Sequence, residues 1–133
     1  MWGWLRKKPA PLTGAPQVRR QKTYSAQSGY VYQYYYEGQR EAARGRERGA
    51  EYVFAVTADR RTFFPVSVFL GAEAVAAWEQ RHGRSLTATE RYALAKMALF
   101  GAFDERENPG RMREEVRLRP ADVEAILERL GIE

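Results

Sequence analysis

The chain has 133 residues, 44% of them hydrophobic, which is enough for one domain with a real core. It has no cysteine and one histidine. Disulfides, iron–sulfur clusters, thiolate zinc sites and histidine-based metal centres are therefore excluded, leaving only carboxylate–oxygen sites of the calcium or magnesium type. The net charge of +5 is uneven: residues 1–50 carry ten Lys/Arg against three Glu, and residues 51–133 carry twelve against fourteen acids.

Residues 1–22 hold six cations (Arg6, Lys7, Lys8, Arg19, Arg20 and Lys22) and no acid, with Pro9, Pro11, Gly14 and Pro16 breaking any period. They read as an extended basic arm of the kind that meets phosphate, an anionic lipid surface or an acidic partner. Its tip, Trp2, Trp4 and Leu5 ahead of Arg6-Lys7-Lys8, has the indole-plus-cation chemistry of a membrane-interface anchor. The same tip also suits insertion into a groove on a partner protein. The start lacks the apolar stretch and cleavage site of a signal peptide, and no apolar run approaches the ~20 residues of a spanning helix. The expected location is the cytoplasm, with contact at the inner face of a membrane as the variant. Arginine far exceeds lysine and Asn108 is the one asparagine, a bias that fits a GC-rich or thermophilic bacterial source.

The remainder, 23–133, reads as one globular domain. A strand is predicted over about 28–37, where Tyr30, Tyr32, Tyr34 and Tyr36 alternate and share one face. Val31, Gln33, Tyr35 and Glu37 take the other. Residues 38–49 read as a polar connection carrying Arg40, Arg44, Arg46 and Arg48, with three glycines against a long helix. A second strand follows over Glu51–Thr57, and a third over Thr62–Leu70. Ala58–Arg61 turns between them, making a hairpin. Pro65 cannot donate to a ladder and marks an edge or a bulge.

After Gly71 the period changes to 3.6. A helix is predicted over Ala72–His82, with Gly83 ending it. Thr87 and Glu90 have capping-box spacing and open a buried central helix to about Phe103. Asp104–Arg111 is a loop, and Glu114–Leu118 reads as a short strand. A last helix from Pro120 buries Val123, Ile126, Leu127 and Leu130, and Ile132 folds back on Leu127.

The fold class is α+β: a three- to four-stranded antiparallel sheet packed against three helices, with an extended basic N-terminal arm. The tyrosine strand has two readings. One is a platform on which Tyr32 and Tyr34 stack bases; the other is packing against the central helix. The expectation is that the tyrosine side meets the helix and that recognition falls to the arm and the arginine loop.

No catalytic pattern emerges. The serines sit in no nucleophile motif, no phosphate loop occurs, and His82 reads as a helix-end residue. Arg106 interrupts the acidic run Asp104, Glu105 and Glu107. The chain is read as non-enzymatic, without cofactor or metal. Three functions follow: an accessory subunit or adaptor of a larger assembly anchored by its arm, an RNA- or single-stranded-DNA-binding protein using the arm, the arginine loop and the tyrosine strand, and a peripheral membrane protein.

Overall fold

A computed structural model describes residues 9–133. The elements are β1 (Lys22–Ser25), β2 (Val31–Arg44), β3 (Glu47–Thr57), β4 (Phe64–Gly71), α1 (Ala72–His82), α2 (Ala88–Glu105), β5 (Val116–Leu118) and α3 (Pro120–Arg129), with a 3-10 turn at Pro109–Arg113. The class is α+β, as expected, but the sheet has five strands in the order β1-β2-β3-β4-β5 and is mixed. The first four are antiparallel neighbours and β5 joins β4 in parallel.

Two expectations need correction. The predicted polar connection is mostly strand: β2 runs through Arg40 to Arg44 and pairs with β3 all the way to Glu47. Only Gly45 and Arg46 remain as the turn. Gly45 has φ 64° while Arg46 does not have positive φ, the pattern of a two-residue turn with glycine first that matches the twist of a hairpin. What conceals the strand in the sequence is a bulge. Tyr36 pairs with Phe54 but Gly38 with Val53, so Glu37 is an extra residue that resets the alternation. The arm, second, is not free throughout its length. Lys22–Ser25 form β1, and further out Thr13 and Gln39 exchange backbone hydrogen bonds of 2.9 and 2.8 Å. Gly38, at φ 127°, permits that contact, because a Cβ there would lie 2.8 Å from the Thr13 carbonyl oxygen.

Other local signals act as their chemistry dictates. Asp59 organises the β3–β4 turn, its Oδ1 accepting from the Arg61 and Thr62 amides at 2.8 and 2.9 Å and from the Thr57 hydroxyl at 2.9 Å. Pro65 needs no ladder donor on the β5 side, since β5 reaches only Val68–Leu70. The Thr87/Glu90 capping box forms, with 3.1 and 2.9 Å bonds. Ile132 donates its amide to Leu127 at 2.9 Å, closing α3.

All three helices contribute to one core on one side of the sheet. Tyr32, Tyr34, Phe54, Val56, Val66, Val68 and Leu70 from the strands meet Trp78, Leu94, Leu99, Phe103, Val123 and Leu127 from the helices. Tyr32 is 0% exposed and its ring stacks on Phe103 at 4.3 Å; Tyr24 stacks on Phe100 at 4.4 Å. The tyrosine side of β2 therefore faces α2, as expected.

Candidate nucleic-acid interface

Among the described residues the opposite face of the sheet carries no helix, and its two ends differ. At the β5 end, Phe69 is fully buried although it lies outside the main core. The Arg44 and Arg117 guanidinium carbons stand 5.0 and 5.6 Å from its ring centre and roof it. Glu51 binds Arg40 Nε at 2.6 Å, Arg44 Nη2 at 3.1 Å and the Ser67 hydroxyl at 2.6 Å. Burial would raise the Glu51 pKa, but the Ser67 and Arg40 hydrogen bonds and the two arginine charges outweigh it and hold the carboxylate ionised. Glu115 continues the network to Arg44 Nε at 2.6 Å and Arg117 at 3.2 Å. This end is closed and its charges are spent internally.

The other end is open. Tyr35, Ala55 and Pro65 form one row across β2, β3 and β4. Phe63 lies beside it with its ring centre 5.6 Å from that of Tyr35. Phe63 is 37% exposed and, on the same face, Val31 47%, two of the few exposed large apolar side chains among the described residues, with Val18 nearby on the arm. Arg19 reaches over Tyr35 at 5.8 Å, and its closest carboxylate, Glu37, is 3.9 Å away. Arg60 and Arg61 project from the turn, and Arg60 has φ 66°, a left-handed conformation uncommon outside glycine and asparagine. The Asp59 carboxylate holds that turn in place; the Thr62 and Arg61 amides push its pKa down to about 2.

Beside Tyr35, at the β1 edge, a cleft of about 370 Å³ is lined by Arg19, Arg20, Lys22 and the rings of Tyr34, Tyr36 and Tyr92. Burial pushes the Tyr34 phenol up to about 12, helped by Tyr92, so these phenols are neutral donors at ordinary pH. Lys96 of α2 borders Lys22; burial lowers its pKa and the neighbouring ammonium lowers it further. No ion pair among the described residues involves Arg20, Lys22, Arg60, Arg61 or Lys96.

The residues singled out from sequence thus separate. Arg19, Arg20 and Lys22 come together at the cleft with charge to spare. Arg40 and Arg44 are committed to Glu51 and Glu115 and are not free for phosphate. Arg46 is exposed at the far hairpin tip, and Arg48 lines a different groove beside α1. Tyr32 and Tyr34 are closed to bases, because Phe103 and Phe100 already occupy their ring faces and edges. Trp2, Trp4, Leu5, Arg6, Lys7 and Lys8 lie outside the described residues, and with them the membrane-anchor expectation. Tyr35, Phe63, Arg60 and Arg61 went unnoticed as site residues. The signal for Tyr35 was its place on the non-core face of the alternation, once the tyrosine side was assigned to the helix.

His82 stacks on Trp78 at 4.3 Å with Nε2 3.1 Å from Glu124, a helix-end role. Asp104 accepts from the Tyr24 hydroxyl at 2.8 Å and the Gln27 amide at 2.9 Å, tying the β1–β2 turn to α2. Among the described residues no group of three or more His, Cys, Asp or Glu side chains is arranged to hold a metal ion, and no helix is long and apolar enough to cross a membrane. Comparison with family models, with curated proteins and with solved structures finds no match in any of the three.

Proposed function

We propose that this chain is a non-enzymatic binding module for single-stranded nucleic acid. The observation that carries the reading is the half-buried Tyr35 ring beside the exposed Phe63 on the helix-free face, with Arg19 over Tyr35, Arg60 and Arg61 on the adjoining turn, and Arg20 and Lys22 at the neighbouring β1 edge. Aromatic rings give bases a sequence-tolerant stacking surface, and unpaired cations beside them track the backbone. In a duplex the base faces are already stacked on one another, so single strands, whose bases can unstack onto the rings, are the expected substrate. RNA and DNA are both accommodated by stacking alone.

The test is fluorescence-polarisation titration of single-stranded oligonucleotides at low salt, with Tyr35→Ala and Phe63→Ala. Each substitution is expected to weaken binding by about 1–3 kcal/mol while leaving the fold intact. Absence of binding by the unmodified protein to any RNA or DNA strand, or full binding by the double variant, overturns the reading.

A second reading, an accessory subunit or adaptor anchored through its arm, is favoured by the pairing of Thr13 with Gln39. That contact fixes the arm at Thr13 on the β2 edge. Affinity purification from the native host after nuclease treatment separates the two. A stoichiometric protein partner lost on deleting residues 1–8 supports the adaptor. A monomer without a partner removes it.

A further inference from the structure

On the helix side of the sheet, the outer half of the β2–β3 hairpin faces α1 and the start of α2 across a groove of about 790 Å³. That volume falls within the usual range for small-ligand sites. Its facing walls carry short apolar side chains, Ala43 and Ala50 on the hairpin and Ala72 and Ala76 on α1, with Val75 and Leu70 as the larger ones. Methyl groups at facing positions cannot interdigitate across the gap, so the hairpin and the helix leave the space unfilled.

One buried hydrogen-bond donor at the inner side of this groove lacks an acceptor, and a phenol lines the same space. Arg91 Nε is buried and has no hydrogen-bond partner among the described residues. Its nearest carboxylate, Glu79, is 3.9 Å from Nη2 and already accepts the Leu86 amide at 2.6 Å. Tyr52 lines the same space and is 2% exposed. Burial pushes its phenol up while the Arg91 charge pulls it partly back, so it stays a neutral O–H donor. A buried donor without an acceptor is costly and uncommon in folded proteins, and a ligand that supplies the acceptor recovers that cost.

We propose that this groove binds a small organic carboxylate, its oxygens accepting from Arg91 Nε–H and the Tyr52 hydroxyl and its compact apolar body resting on the alanine floor. A monoanion fits better than phosphate. Arg48 and Arg91 are opposed by Glu41 and Glu79 around the rim, and a second negative charge would meet those carboxylates. The site lies on the side of the sheet opposite Tyr35 and Phe63, so its occupancy and strand binding are separately testable.

Two-dimensional amide NMR provides the test, with sodium hexanoate as probe and hexanol as the control that shares the chain and lacks the charge. Hexanoate is expected to produce saturable shifts at Ala50, Val75 and Ala76 with Kd in about the millimolar range, and hexanol none there. Tyr52→Phe keeps the ring in the core and is expected to weaken hexanoate binding by about tenfold. Arg91→Met is expected to remove it. If the amide dispersion shows that Arg91→Met does not fold, Tyr52→Phe alone decides. No saturable shift up to about 10 mM, equal shifts with hexanol, or undiminished binding by Tyr52→Phe overturns the proposal.

Discussion

Arg40 and Arg44 on the hairpin, and Arg19 and Arg20 on the arm, are indistinguishable as residue types and end in opposite situations. The hairpin pair is neutralised by Glu51 and Glu115 and folded down over Phe69. The arm pair, with Lys22, borders a cleft whose other walls are phenols, and only Arg19 has a carboxylate within 4 Å. Cations in a strand are available to a ligand only where the neighbouring strand does not supply an acid in register. Arg40 faces Glu51 directly across β2 and β3, whereas Lys22 faces Tyr34 across β1 and β2. The same rule separates the aromatic side chains. Tyr32 finds Phe103 beneath it, while Tyr35, in register with Ala55, meets Phe63 and Arg19 at its side and keeps part of its surface open.

Substitutions can break this contrast between closed and open regions. The largest effect is expected inside. Phe103→Ala removes the ring on which Tyr32 stacks and should cost about 3–5 kcal/mol in chemical denaturation. Phe63→Ala, on the open face, should cost about 1 kcal/mol or less. Equal costs for the two would mean that Phe63 is part of the core.

Next comes Glu51→Ala. It strands two half-buried guanidiniums and should cost about 2–3 kcal/mol, below the figure for a fully buried pair because Arg40 and Arg44 retain some solvent. Arg20→Ala should stay within about 0.5 kcal/mol of the unmodified protein. A stable Glu51→Ala protein would show that the hairpin arginines are freer than their geometry indicates.

A smaller effect concerns acid. Asp59 in the β3–β4 turn and Glu90 in the α2 cap are both depressed to about 2, the first by the Thr62 and Arg61 amides and the second by Arg84 and the Thr87 amide. Their folded-state values lie below the ordinary 3.8 and 4.5. The stability they lend is therefore complete above those ordinary values and is lost as pH falls through about 2. Melting temperature should be insensitive to pH near neutrality and decline on acidification below about 4, and Asp59→Asn should flatten part of that decline. A decline unchanged in Asp59→Asn would remove the turn carboxylate as a contributor.

Much of the fold was legible in the sequence, for physical reasons. The capping box at Thr87 and Glu90, the stop at Gly83 and the Ile132 fold-back are local devices, each complete within a few residues. The α+β class follows from the change of period at Gly71. What was not legible depends on pairing between distant segments. Glu37 bulges because Tyr36 and Gly38 answer to adjacent residues of β3, and nothing within Gly38–Gly49 announces that its arginines have acids waiting at Glu51 and Glu115. The site was half legible. The basic segment Arg19–Lys22 was visible as charge, whereas Tyr35, Phe63, Arg60 and Arg61 become a group only when β2, β3 and β4 lie side by side.

The most direct measurement is the salt dependence of binding to a single-stranded oligonucleotide, compared between two variants. On single strands, each neutralised phosphate contributes about −0.7 to the slope of log K against log salt. The triple variant Arg20→Gln, Arg60→Gln, Arg61→Gln should flatten the slope by about 2, and Arg46→Gln, at the far hairpin tip, should leave it unchanged. A slope untouched by the triple variant, or flattened equally by Arg46→Gln, contradicts a strand bound across Tyr35 and Phe63.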